Sequence, residues 1–322
     1  MTRVAVLDDY QRRAAGFADW GSLAPEIEID FLHESIPVHR LPERLADYEV
    51  LVLMRERTRF DAGTLAQLPR LRLVVTTGMR NASLDVAYLR ERGVTVCGTG
   101  MSSGSDTPGV PTTTEVAWAL ILAAVKRVTI EDRALRAGHW QTDLPSNLGG
   151  ATLGLAGLGR LGASMIAPAR AFGMDVIAWS QNLTAERAAA VGVRAVTKDE
   201  LLERSDVVSI HLVLSDRTRG LFGAGELGRM RRSAVLVNTS RGPIVDESAL
   251  VRALRDGTIA AAGLDVYDTE PLPAGHPLTA LDNVVLLPHL GYVSEATLRD
   301  MYEQVVQDIA AWHDGTPIRT ID

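Results

Sequence analysis

The sequence predicts an α/β protein of two domains, each built on a parallel sheet. Three observations carry this. Short apolar runs recur along the chain with helical patterns between them, as parallel strands joined by crossover helices do. One run passes directly into a glycine-rich turn that opens a helix. Three late runs, beginning at Ala234, Ala261 and Val284, are each followed within a few residues by a chemically capable side chain: Arg241, Glu270 and His289.

At 322 residues the chain is long enough for two cores. Its net charge of −7, without a basic run or aromatic-interleaved stripe, argues against nucleic acid and anionic membrane as partners. Cys97 is the single cysteine, so neither an internal disulfide nor a cysteine metal cage can form, and no metal is expected. It lies in an apolar run and reads as a buried, inert thiol. A cytoplasmic location is expected, because no apolar segment has the length of a signal peptide or a membrane span.

Between residues 3 and 97, apolar runs at 4–7, 27–31, 50–53, 73–75 and 94–96 alternate with candidate helices such as 41–47 and 84–91. This predicts a small parallel sheet covered on both faces. Ligand-binding residues in such sheets follow strand ends, which singles out Arg55 and the loop Thr77-Gly78-Met79-Arg80-Asn81. Residues 98–114 hold the densest cluster of turn formers and are the predicted linker. A helix over 115–128 is too apolar for a solvated face and too short for a bilayer. It is read as buried between domains or, preferably, between subunits.

Residues 151–162 run from a strand into Gly157-Leu-Gly159-Arg160-Leu161-Gly162 and a helix reaching about residue 172, with a second strand at 175–179. In that context the turn is a dinucleotide fingerprint. Gly157 permits the tight turn, Gly159 lets backbone amides approach a pyrophosphate, and Gly162 lets helix and strand pack closely. The second strand ends Trp179-Ser180-Gln181-Asn182, with no carboxylate to accept from an adenosine ribose. Repulsion of a 2′-phosphate is thereby lost, and Arg160 offers a counter-charge. The cofactor is read as NAD(P), with a slight lean to NADP.

A run at 207–213 and the three late runs complete a six-stranded, doubly wound Rossmann sheet. After Gly291, a helix capped by Ser294 places Leu298, Met301, Tyr302, Val305 and Ile309 on one face. It is expected to return to the first domain. Residues 1–100 and 292–322 then form a discontinuous, flavodoxin-like substrate domain and 101–291 the dinucleotide-binding domain, with a hinge at the crossings near 100 and 291.

Taken singly, Arg241 is a surface charge, Glu270 a strand terminator before Pro271, and His289 a loop histidine. Taken together they form an anion clamp, an orienter and a proton donor. The segments Asn238-Thr-Ser-Arg241-Gly-Pro-Ile-Val-Asp246, Asp265-Val-Tyr-Asp-Thr-Glu270-Pro and Pro288-His289-Leu-Gly291 resemble those of the D-2-hydroxyacid dehydrogenase family, which includes phosphoglycerate, glyoxylate and hydroxypyruvate enzymes. The likeness extends over most of the chain from about Gly78 onward.

The resemblance implies hydride transfer between a nicotinamide and a 2-oxo or D-2-hydroxy acid, with His289 as acid and base, Glu270 as its partner and Arg241 on the substrate carboxylate or carbonyl. It implies that backbone amides of Gly78 and Met79 hold the carboxylate, and that His211, Thr218, Thr239, Asp265 and Gly291 join Ser180 and Gln181 around the cofactor, Asp265 accepting from the nicotinamide amide. It also implies a homodimer. Arg80 stands where the family commonly has glycine; it either points away or, like Arg55, adds a cationic contact suited to a dianionic substrate. Val213 replaces a frequent proline. Rival readings are a phosphite or phosphonate-substrate dehydrogenase on the same scaffold, and a non-catalytic, NAD(H)-sensing binding protein. Formate enzymes generally lack the glutamate partner, so Glu270 counts against that branch.

Overall fold

The computed structural model describes residues 1–100 and 111–321, so most of the expected linker over 98–114 lies outside the described residues. The chain divides into two compact units, Met1–Pro108 with Ser294–Asp322, and Gly109–Val293.

The first unit is built on β1 (Thr2–Val6), β2 (Ile27–Phe31), β3 (Val50–Leu53), β4 (Leu73–Thr76) and β5 (Thr95–Gly98), in the order β2-β1-β3-β4-β5. All neighbours pair in parallel. Every residue of β3 and β4 is buried, as strands covered on both faces require. The helix Glu295–His313, whose N-cap Ser294 accepts from Thr297 N–H at 3.2 Å, packs on β4 and β5. The chain then turns back along the free edge of β5: Gly98 N–H donates to Arg319 O at 3.0 Å and Ile321 N–H to Val96 O at 2.8 Å. This occupies backbone groups that an open edge would expose.

The second unit contains β6 (Thr152–Ala156), β7 (Asp175–Trp179), β8 (Arg194–Ala195), β9 (Val207–Ile210), β10 (Val235–Asn238), β11 (Ala261–Leu264) and β12 (Val284–Leu286). Their order is β12-β11-β10-β9-β6-β7-β8, again all parallel. The sheet has seven strands rather than the expected six, because a two-residue edge strand, β8, carries no periodic pattern to read. Strand order reverses between β6 and β9, and the turn carrying Gly157 leaves one of these strands while His211 follows the other. Asn238 pairs in register with Leu264, and Leu264 with Leu286, so β10, β11 and β12 end level.

Two further expectations need correction. The helix after the glycine turn is broken at Met165 into Arg160–Ser164 and Ile166–Ala171, with Pro168 early in the second piece, where its missing N–H costs least. The apolar helix spans Thr112–Val125, and its buried Ala117, Leu120, Ile121 and Ala124 pack on β10, β11 and β12 of its own unit rather than awaiting a second chain. Arg127, in a left-handed conformation, separates it from a helix over Val128–Arg136. No described helix is long and apolar enough to cross a membrane.

Candidate active site

The glycine turn has the geometry its composition anticipates. Gly157 has φ +105°, and a Cβ there would meet the backbone carbonyl of His211. At Gly162 a Cβ would run into the carbonyl of Gly157, so the helix can approach the strand only without a side chain. Gly159, by contrast, faces open space. Two tight contacts and one open position are what a turn that admits a pyrophosphate needs. Arg160 is exposed and Leu161 half-buried beside it.

Beside this turn and just past β10, polar atoms stand without protein partners. Among the described residues, His211 Nδ1 and Thr239 Oγ1 are buried with no hydrogen bond. His211 Nε2 meets Ser209 Oγ at 2.9 Å, and burial pushes the imidazole down to about 4, so it is neutral near pH 7. Orphaned buried polar atoms are uncommon, and these two suit a polar ligand laid across the sheet. Ser180 and Gln181 follow β7 with no acid beside them, and Arg187 Nη1 folds back to donate to Asn182 O at 3.3 Å. Thr218 is used differently: its Oγ1 donates to Val213 O at 2.7 Å and accepts from Ser215 N–H at 2.8 Å, holding its own loop together.

Past the level ends of β10, β11 and β12 stand Arg241, Glu270 and His289, each following one of three adjacent strands, and a direct contact joins Glu270 to His289. Nδ1 of His289 lies 2.6 Å from Glu270 Oε2, and since a carboxylate only accepts, the nitrogen carries the proton. Glu270 is fixed in turn by Tyr267 N–H, which donates to Oε1 at 2.9 Å. His289 has φ +54°, an unfavourable left-handed conformation for a non-glycine residue. Asp265 enforces it, its two carboxylate oxygens accepting from Leu290 N–H at 2.7 Å and Gly291 N–H at 2.8 Å. Fully buried, Asp265 is pushed up to about 6, against the pull of those amides and of His289. Each oxygen takes one amide, so Asp265 braces the histidine loop while keeping acceptor capacity for a further donor. Gly291 completes the brace, since a Cβ there would lie 3.0 Å from Asp265 Oδ2. Arg241 directs Nη1 to Ser240 O at 2.7 Å, and its own carbonyl accepts from Asn238 Nδ2 at 2.9 Å.

In the first unit, Arg55 has φ +53° and lies against Gly78, its guanidinium filling the space a Cβ would take. Nη1 donates to Thr77 O at 3.3 Å. The Gly78 N–H, expected to meet a substrate carboxylate, donates instead to Thr99 Oγ1 at 2.9 Å. Met79 is 43% exposed and Arg80 is exposed as well.

Several residues escaped the sequence reading. Tyr267 supplies the amide that orients Glu270 and, through its hydroxyl, donates to Leu287 O at 2.8 Å. Tyr292 packs edge-on against His289, with ring centroids 5.5 Å apart. Arg187 lies eight residues past β7 with no motif to mark it. Only the aromatic just beyond the histidine motif offered a signal that sequence inspection could have used. Among the described residues no group of His, Cys, Asp and Glu is arranged to hold a metal.

A family model described as D-isomer specific 2-hydroxyacid dehydrogenase, NAD binding domain, matches residues 118–291. A glyoxylate reductase of Korarchaeum cryptofilum is 37% identical over 298 residues, covering 89% of this chain and 87% of that protein. A D-3-phosphoglycerate dehydrogenase of Archaeoglobus fulgidus is 32% identical over 321 residues, 98% of this chain but 58% of that longer protein. The solved structure of a phosphoglycerate oxidoreductase from Vibrio cholerae o395 superposes with a TM-score of 0.89 at 33% identity, covering 98% of this chain and 100% of that one. With identity at these levels running over most of its length, the chain belongs to the D-isomer specific 2-hydroxyacid dehydrogenase family of nicotinamide-dependent oxidoreductases.

Proposed function

We propose that the protein reduces small 2-oxo acids to D-2-hydroxy acids, using NADPH in preference to NADH. The observation that carries this reading is the 2.6 Å pairing of His289 with Glu270, past strands adjacent to the one that leads to Arg241. The nicotinamide, when bound, supplies the hydride for the substrate carbonyl carbon. Arg241 binds the carboxylate and polarises the carbonyl oxygen through its planar fork. With Nδ1–H committed to Glu270, Nε2 of His289 is the nitrogen that gives its proton to that oxygen, and the carboxylate stabilises the charged imidazole. Gly157, Gly159 and Gly162 would hold the pyrophosphate, with His211 and Thr239 offering their unpaired atoms. Ser180, Gln181, Arg160 and Arg187 would take the 2′-phosphate.

Glyoxylate is the favoured substrate because the relatives at 37% and 41% identity are named glyoxylate reductases. A second reading, a phosphorylated acid, is favoured by the cations Arg55 and Arg57 just past β3 and by the relatives named for phosphoglycerate. We also infer a homodimer. Support comes from Leu135, Trp140 and Leu144, which are 57%, 76% and 91% exposed within one short segment.

A panel of 2-oxo acids, including glyoxylate, hydroxypyruvate and phosphohydroxypyruvate, assayed with NADH and NADPH in parallel, tests the reading. Fastest turnover of glyoxylate with NADPH supports it. Fastest turnover of the phosphorylated acid favours the second reading. Tight cofactor binding without turnover of any acid would return the protein to the dinucleotide-sensing class.

A further inference from the structure

Behind the loop that delivers Glu270 lies a carboxylate that the reaction as proposed does not use. Glu247 is the first residue of the helix Glu247–Arg255, whose N-cap Asp246 accepts from Ala249 N–H at 2.9 Å. A glutamate in a helix's first turn ordinarily reaches into water. This one turns inward, with 21% of its side chain exposed. Oε1 meets His276 Nε2 at 3.0 Å, and Oε2 accepts from Asp268 N–H at 3.3 Å.

His276 is itself set for this contact. Leu278 N–H donates to Nδ1 at 3.3 Å, so Nδ1 is bare and Nε2 carries the hydrogen directed at Glu247. The carboxylate is thus held from one side by the His276 ring N–H and holds a backbone amide on the other. It does so among like charges: Asp268 is raised above the usual carboxylate range, first by burial and then by Glu247 and Asp246, with Arg219 and His276 opposing. Electrostatic relief therefore does not account for an acid here. What the position supplies is a rigid two-point acceptor.

The amide it grips belongs to the peptide on which both halves of the proposed site rest. A Cβ on Gly242, the residue after Arg241, would coincide with Tyr267 C and O and crowd Asp268 N, so the arginine segment lies directly on the Tyr267–Asp268 peptide. From the same stretch, Tyr267 N–H fixes Glu270 Oε1 at 2.9 Å, and Glu270 holds His289.

We propose that Glu247, held by His276, is a positioning residue that keeps Arg241 and the Glu270–His289 pair in register. The inference rests on the roles proposed above for those three residues. A cavity of about 260 Å³ bordered by Glu247, Ser248, Arg252 and His276 lets side chains be exchanged here without forcing the core to repack.

The test compares Glu247→Ala, Glu247→Gln and His276→Asn in the full-length enzyme. Glu247→Ala lowers kcat about ten- to a hundredfold, the loss expected when reacting groups are misplaced by about an ångström. Cofactor affinity, read by fluorescence titration, stays within about twofold of the parent, since the glycine turn is untouched. Glu247→Gln offers one acceptor oxygen for two N–H groups and falls between. His276→Asn has the smallest effect.

One readout separates positioning from general destabilisation: the low-field proton resonance of the His289 Nδ1–H, assigned by its loss in His289→Asn and recorded without substrate. Facing His289 are Glu270, Asp265 and the ring of Tyr292, and only the Glu270 contact should slacken, so the resonance moves upfield. Unchanged kcat in the two Glu247 variants, or lowered kcat with the resonance unmoved, overturns the proposal. If Glu247→Ala does not fold, Glu247→Gln decides by the same readout. Parent-like turnover in His289→Ala is a different failure, that of the catalytic assignment, and leaves the resonance as the measure of Glu247's effect on the loop.

Discussion

The two ends of the second unit's sheet handle their polar groups in opposite ways. Past β10, β11 and β12 the polar groups satisfy one another, Thr239 Oγ1 excepted: Asp265 accepts from two amides, Glu270 accepts from one amide and an imidazole, and Asn238 donates to the Arg241 carbonyl. Around the glycine turn, His211 Nδ1 is buried without a partner, and Gly159 opens on empty space. The first end is a finished constellation whose geometry does not wait for a ligand. The second carries a desolvation cost that a polar ligand would remove. Preorganisation and latent affinity thus lie on one sheet, a few strands apart.

Breaking the finished end should cost turnover and spare binding. His289→Ala and Arg241→Ala are each expected to lower kcat/KM by at least about a hundredfold, as removal of a preorganised acid or charge-stabilising donor does. Steady-state assays paired with cofactor titration check this; parent-like turnover in either variant rejects the assignment. The waiting end should show the opposite pattern. Gly157→Val forces a β-branched residue into φ +105° against the His211 carbonyl, and is expected to cost about 2 to 3 kcal/mol of stability. Denaturant unfolding measures that loss, and a weakened cofactor Kd accompanies it.

His211 sharpens the comparison through pH. Its ordinary value of 6.5 is lowered to about 4 by burial. The neutral imidazole's contribution is complete above pH 6.5 and is lost as pH falls toward 4, because the unfolded chain takes up the proton first. His211→Asn cannot titrate. The parent should therefore lose roughly 2 kcal/mol relative to the variant between pH 8 and pH 5, read as the difference between their unfolding free energies. A gap that stays constant with pH would show that the imidazole is not desolvated.

What could be read in advance follows from the range of the interactions. Gly157 and Gly162 announce themselves because a left-handed turn or a backbone clash is a local demand that glycine meets. Arg241, Glu270 and His289 stand out because parallel strands deliver whatever follows them to one side of a sheet. Glu247 and His276 are 29 residues apart, and Gly78 and Thr99 are 21 apart, with nothing in either local pattern to pair them. That second pairing takes away an amide expected to meet substrate. The composition of the Thr112–Val125 helix announced burial but not which surface would bury it.

The smallest expected effect concerns the adenosine end, where an absence is the signal. Ser180 and Gln181 follow β7 with no carboxylate, while Arg187 folds its guanidinium onto the Asn182 carbonyl. A carboxylate at residue 180 would accept from a ribose 2′-hydroxyl and repel a 2′-phosphate, so one substitution supplies attraction toward one cofactor and repulsion toward the other. Ser180→Asp is therefore expected to lower kcat/KM for NADPH by about tenfold and to leave that for NADH unchanged or raised, since each decade corresponds to about 1.4 kcal/mol of differential binding. The change should be confined to the cofactor terms. Substrate KM and the pH profile report on the self-satisfied end of the sheet, and neither should respond. Equal loss with both cofactors would mean that the 2′ position does not meet residue 180. An altered pH profile would mean that the two ends are coupled, and the division between a finished and a waiting half would have to be given up.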